Sequence, residues 1–301
     1  MMPTQSKEGR RTEQQNSASK NLDLLTSLQI VRLMNREDRK VALAVKREIP
    51  SIARAVDAIV NGIRRGGRLM YVGAGSSGRI GVLDAAECPP TFGVSPTVVQ
   101  ALIAGGKDAV TGAVEGAEDS IRNAERDLHA KKLTRRDVVV GITASGTTPY
   151  VVKALEYARK RGATTVAITS NRHALVTHLA NMVIAPDVGP EVLTGSTRLK
   201  AGTSQKMVLN MLSTAAMVRL GHAYENLMID AVLTNKKLAD RALQILQATS
   251  GKGLSASEHA LRQAQHNMRL ALLMLKLGVS AQAAKKKLTV AKGDLRKALR
   301  G

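Results

Sequence analysis

Residues 68–90 read RLMYVGAGSSGRIGVLDAAECPP: an apolar run ends in Gly73-Ala74-Gly75-Ser76-Ser77-Gly78 and passes into a helical pattern that closes on Glu87. That is a strand, a turn tight enough for the backbone to approach a ligand, and a helix start with an acid at its far end. The plan returns in DVVVGITASGTTPYVVKALEYA, residues 137–158. Two such turns in one sheet point to a protein that grips a phosphorylated small molecule and acts on it with carboxylates.

The rest of the chain fits around these units. Leu69–Val72, Val98–Ile103, Val138–Thr143, Thr165–Thr169 and Val183–Ala185 are short, nearly continuous apolar runs, as expected of parallel strands covered on both faces. Helical patterns at 78–87, 107–130, 149–161 and 174–180 separate them, so the expected fold is α/β with a doubly wound parallel sheet and flanking helices. Ahead of it, Ile49, Ile52, Val56, Ile59, Val60 and Ile63 keep helical spacing. Two or three helices are expected over 22–65, ended by Gly66-Gly67, with residues 1–20 as a disordered or clamped arm. After a loop at 186–194 come helices at about 198–220 and 224–248. Residues 249–253 read as a break, and 255–300 as a small helical unit striped by Leu261, Met268, Leu272, Leu275 and Leu277. The implied division is an arm with helices (1–58), the α/β domain (59–222) and a C-terminal helical region (223–301).

Composition narrows the function. No apolar run approaches the ~18 to 20 residues of a membrane span, and the polar start has no apolar leader core. With the lone cysteine, Cys88, this favours a reduced, cytoplasmic setting. Net charge is +21, and residues 285–300, KKKLTVAKGDLRKALR, hold seven basic residues and one acid. This is a solvated helical face or a non-specific anion patch. With only Phe92 and four tyrosines in the whole chain, stacking platforms for nucleic acid are lacking, and no specific nucleic-acid partner is expected. The six histidines show no ligand spacing, so neither a metal nor another cofactor is expected.

Gly73, Gly75 and Gly78 keep the GxGxxG spacing of dinucleotide folds. However, the loop is rich in hydroxyls, the next strand ends in Ala101-Leu102-Ile103-Ala104 without an acid for a ribose, and a second hydroxyl turn follows. Ser76 and Ser77 in the first turn, and Thr143, Ser145, Thr147 and Thr148 in the second, surround helix starts that favour an anion. The plainer alternative is a pair of serine-capped helix starts. Glu87, before Cys88-Pro89-Pro90, is expected at a helix end among Val82, Leu83, Ala86 and Pro89, a setting that favours its neutral form and suits a general acid. Glu115, Glu118 and Asp119 form a second acidic group, or simply a solvated helix start.

Taken together, GAGSSGR, LDAAECPPTFG, IAGG, VEGAEDS, VVVGITASGTTPYV, LTGSTRLKAGTSQK and NMLSTAAM, in this order, resemble the N-acetylmuramic acid 6-phosphate etherase family over nearly the whole chain. The resemblance implies a sugar-isomerase (SIS) domain, a helical C-terminal unit and a homodimer with sites near the subunit interface. It implies a carbon–oxygen lyase that needs no cofactor: the D-lactyl ether of N-acetylmuramate 6-phosphate is cleaved to N-acetylglucosamine 6-phosphate and D-lactate, in recycling of cell-wall sugar. It assigns Glu87 as proton donor to lactate and Glu118 as the second acid/base. Ser77, Thr143, Ser145 and Thr148 match phosphate-holding positions, with Ser76 adjacent. Thr147 stands where many members carry Arg. A non-catalytic sugar-phosphate sensor, like the related glucokinase regulatory protein, is the alternative; the presence of both Glu87 and Glu118 argues against it.

Overall fold

The computed structural model describes residues 11–233, 236–291 and 293–300; residues 1–10, part of the expected arm, lie outside this range. From 11 to 24 the arm forms three short 3-10 turns and buries Thr12, Asn16 and Ser19, so this part is clamped. Thr26 and Gln29 form a reciprocal capping box that opens α1 (Ser27–Arg47). Pro50 sits in the first turn of α2 (Ile49–Arg64). Gly66, at φ +78°, lets the Gly67 N–H reach back to the Gly62 carbonyl and end α2.

Strands β1 (Leu69–Gly73), β2 (Val99–Ile103), β3 (Val138–Ile142), β4 (Thr164–Ile168) and β5 (Met182–Ile184) form one parallel sheet in the order β2-β1-β3-β4-β5. Every residue of β1 and β3 is buried, which is why both read as unbroken apolar runs. Helices α3 (Gly75–Phe92), α4 (Asp108–Thr111), α5 (Ile121–Ala130), α6 (Pro149–Lys160) and α7 (Leu175–Leu179) connect the strands, and α8 (Lys200–Arg219) follows. The chain leaves β1 for β2 on one side and returns to β3 on the other. The order therefore reverses between β1 and β3, the place where open α/β sheets bind ligands. Gly73 pairs with Ile142, so Ala74 and Thr143 leave the sheet side by side, and both hydroxyl-rich turns stand at this reversal.

Two compact units are distinguished among the described residues: those through 86 with 96–216, and 87–95 with 217–300. In the second, α9 (Lys236–Ser250), α10 (Leu254–Gln263), α11 (Met268–Leu277), α12 (Ala281–Val290) and α13 (Leu295–Arg300) pack around Leu246, Leu261, Ala271, Leu272 and Leu273. Asp230 accepts from His222 and Arg269 in this unit; burial alone would raise its carboxyl, but these bonds outweigh burial and lower it.

Three expectations are corrected. Helix α3 does not stop at Cys88-Pro89-Pro90 but runs through both prolines to Phe92. A proline's φ is helical, and what proline lacks is an N–H for the carbonyl four residues back; the true terminator is Gly93, at φ +62°, whose N–H closes on Pro89. The span 107–130 is not one helix. Gly112 ends α4, Gly116 takes φ +68°, and Ser120 precedes α5, leaving the acids on an irregular loop. The helix expected from 224 begins at Lys236. Before it, a Tyr224–Leu227 bridge, the Asp230 cluster and a bond from Val232 N–H to the Pro90 carbonyl hold the chain in a loop.

Candidate active site

The first turn is built by two glycines back to back. A Cβ on Gly78 would lie 2.6 Å from Ile103 Cγ1 and 2.9 Å from the Gly73 oxygen, and one on Gly73 would lie 2.7 Å from the Gly78 nitrogen. Only bare backbone lets α3 start this close to the end of β1. Ser76 and Ser77 occupy the first turn of α3, both half-buried. The first N–H groups of any helix lack partners within it and carry its positive dipole end, so this end suits an anion.

The second turn brings Thr143, Ser145 and Thr148 together. Thr143 Oγ1 lies 2.8 Å from Thr148 Oγ1 and 3.3 Å from Ser145 Oγ, and it accepts from the Gly146 N–H at 3.1 Å. Ser145 Oγ accepts from the Thr147 N–H and hydroxyl, each at 3.3 Å. Thr148 is the N-cap of α6, yet its side chain makes no capping bond; the hydroxyl turns to Thr143 instead. Gly146, at φ +74°, is obligatory, since a Cβ there would lie 2.2 Å from the Ala174 Cβ. Behind the turn, buried Asn171 donates to the Ala144 and Ser145 carbonyls at 3.2 and 3.0 Å, and its Oδ1 accepts from the Arg11 N–H at 3.0 Å. The arm is thereby tied to the turn. The reading of the sequence missed Asn171, because its partners are carbonyls and a distant backbone N–H.

The acids divide. Glu115 and Glu118 line a cavity of about 170 Å³ together with Gly75 of the first turn and Arg79. Glu118 is exposed on a short 3-10 turn, Ala117–Asp119. Thus one predicted acid stands beside the predicted anion grip. Glu87 lies three turns along α3 from Ser76 and is exposed. It is neither at the helix end nor enclosed by its apolar neighbours, unlike the setting expected from the sequence. Arg79, the last residue of the GAGSSGR segment, donates from its side chain to the carbonyls of Ala109, Val110 and Gly112.

A buried ionic network supports the arm and α8. Glu37, 2% exposed, accepts from Lys40 at 2.6 Å, Lys200 at 2.9 Å and Asn16 at 2.9 Å. Burial by itself would raise the Glu37 carboxyl, but these three bonds prevail and hold it at about 2. Glu191 accepts from the Lys200 and Ala201 N–H groups at the start of α8, while burial pushes its carboxyl up.

The parallel sheet with a hydroxyl-rich turn on each side of its reversal defines a SIS-domain protein. Residues 118–215 match the SIS domain family, and residues 51–159 match the glucokinase regulatory protein N-terminal SIS domain. Among solved structures, a phosphoheptose isomerase from Francisella tularensis superposes with a TM-score of 0.50 at 19% identity, over 64% of this chain and 98% of that one. Another, described as a phosphosugar isomerase involved in capsule formation from Bacteroides fragilis, gives 0.52 at 20% identity over 67% and 95%. At such identity the likeness concerns the fold. Sequence relatives are far nearer. The N-acetylmuramic acid 6-phosphate etherase of Clostridium beijerinckii is 50% identical over 288 residues, 96% of this chain and 95% of the relative. That of Yersinia pestis is 52% identical over 288 residues, 96% and 98%. The chain belongs to the N-acetylmuramic acid 6-phosphate etherase family.

Proposed function

We propose that this protein cleaves the D-lactyl ether of N-acetylmuramate 6-phosphate, giving N-acetylglucosamine 6-phosphate and D-lactate by elimination and rehydration. A plain ether resists hydrolysis because an alkoxide leaves poorly. In the ring-opened sugar, C1 is an aldehyde and the C2 proton is acidic. A base takes that proton, an acid protonates the C3 ether oxygen as lactate departs, and water then adds at C3 of the unsaturated aldehyde. Two carboxyl groups suffice, each contributing about 10²- to 10⁴-fold. The hydroxyls of Ser76, Ser77, Thr143, Ser145 and Thr148 hold the phosphate, Glu87 protonates the departing lactate, and Glu118 is the second acid/base. The observation that carries this reading is the cavity that Gly75 of the anion turn shares with Glu118. That shared lining supports an acid–base role for Glu118 next to the phosphate-holding turn.

The substrate is a small sugar phosphate, and the working protein is a cytoplasmic homodimer. Supporting the dimer, α1 leaves Leu28, Val31 and Leu43 more than half exposed, a covering a second copy would supply. Among the described residues no helix is long and apolar enough to cross a membrane. The match of residues 51–159 to a regulatory protein's domain favours a second reading, a sensor that binds sugar phosphate without turning it over. Incubation with N-acetylmuramate 6-phosphate separates the two: the etherase reading expects stoichiometric D-lactate, and binding without lactate selects the sensor.

A further inference from the structure

Arg79 opens the second turn of α3, directly after the Ser76-Ser77-Gly78 segment. Its side chain turns away from this helix to the loop after β2. Nε lies 3.0 Å from the Ala109 oxygen and 3.1 Å from the Val110 oxygen, and Nη2 donates to the Gly112 oxygen. These are carbonyls at the C-terminal end of α4, whose last intrahelical bond is followed at once by the stretch 113–118. Four-residue α4 is far too short to hold itself. Three main-chain acceptors on one rigid, permanently charged fork supply what the helix lacks.

A second contact fixes the other side of the loop. Gly105, at φ +87°, lies tight against the loop: a Cβ would lie 3.0 Å from Val114 Cβ, 3.1 Å from Ala109 Cβ and 3.2 Å from Ala117 Cβ. The loop thus folds down onto the end of β2 and is pinned from above by Arg79. Ala117 packs against the core cluster that contains Tyr150 and Val151 of α6, whereas its neighbour Glu118 stays exposed. Between these anchors lies the cavity that Arg79, Gly75, Glu115 and Glu118 line together.

We infer that Arg79 is a positioning residue that couples the anion turn to Glu118. It sits on the helix whose N-terminal turn would receive the phosphate, and it holds by hydrogen bonds the loop that carries the acid. This inference rests on the role proposed above for Glu118. Lysine keeps the charge but cannot span three carbonyls in a plane, so Arg79→Lys should retain part of the function and Arg79→Ala little. A misplacement of about 1 Å costs on the order of 10²-fold in rate, and that is the fall expected in kcat for Arg79→Ala, with the KM within about threefold of wild type.

Two measurements on the full chain test this. The first is amide hydrogen exchange over residues 112–119, expected to quicken at least tenfold in Arg79→Ala and less in Arg79→Lys, while strands β1 and β3 keep their protection. The second is the kcat and KM for lactate release from N-acetylmuramate 6-phosphate. Unchanged exchange over 112–119 overturns the clamp. A raised KM with kcat intact also overturns it, because Arg79 would then meet the substrate directly. If wild type releases no lactate, the proposed reaction fails, and the exchange measurement still decides whether Arg79 holds the loop.

Discussion

Replacing Glu37 by glutamine removes the carboxylate paired at 2.9 Å with Lys200, whose side chain is only 1% exposed. The carboxyl is held at about 2 against an ordinary value of 4.5, a gap equivalent to about 3 kcal/mol of folding free energy at neutral pH. Breaking a buried pair by removing one partner typically costs about 3–5 kcal/mol, because the remaining charge is left uncompensated. The two estimates agree near 3 kcal/mol. The sign with pH follows from a depressed carboxylate. The stabilisation is fully present above the unfolded value near 4.5 and is lost as pH falls through the folded value near 2. Urea unfolding followed by circular dichroism should therefore place Glu37→Gln about 3 kcal/mol below wild type at pH 7. The difference should narrow by about 1 kcal/mol or more at pH 3.5. Adding Lys200→Met, which removes the stranded charge, should recover most of the loss. A deficit under about 1 kcal/mol at pH 7, or one that does not change with pH, would refute the reasoning.

Three further outcomes follow from the site. Ser145→Ala removes a hydroxyl at the centre of the second turn and should raise the KM for the phosphorylated sugar about 10- to 100-fold, the worth of one hydrogen bond to a charged group; an unchanged KM counts against the grip. Gly78→Ala must push Ile103 or the end of β1 aside and should cost about 1–3 kcal/mol in thermal unfolding, together with weaker inorganic phosphate binding; full stability would show that the helix start can shift. Glu87→Gln should lower lactate release at least about 10²-fold while sugar-phosphate affinity, measured by calorimetry, stays within a few fold. A rate near wild type would remove Glu87 from the proton-donor role.

Much of this was legible in the sequence because burial leaves a simple mark. Val138–Ile142 and Leu69–Gly73 are buried at every position, so their apolar runs located the strands to within a residue. The hydroxyl cluster of Thr143, Ser145 and Thr148 was legible for a similar reason: a strand exit, a glycine and a helix start leave those side chains few directions. Long-range bonding was not legible. Asn171 and Arg79 act on main-chain carbonyls, and a carbonyl has no residue type to recognise. Pro89 and Pro90 misled because proline marks helix ends on average, yet Gly93 stops this helix. The acidic stretch has helical spacing, yet the glycines at 112 and 116 and the hold of Arg79 turn it into a loop.

The central claim is that bound sugar phosphate loses lactate by elimination and then takes up water at C3. Turnover of N-acetylmuramate 6-phosphate in ¹⁸O-enriched water, with both products analysed by mass spectrometry, tests it most directly. The account predicts one solvent oxygen on C3 of the N-acetylglucosamine 6-phosphate and none from the cleaved bond in the D-lactate. Solvent oxygen at C2 of the lactate, with an unlabelled C3 hydroxyl on the sugar, would contradict it.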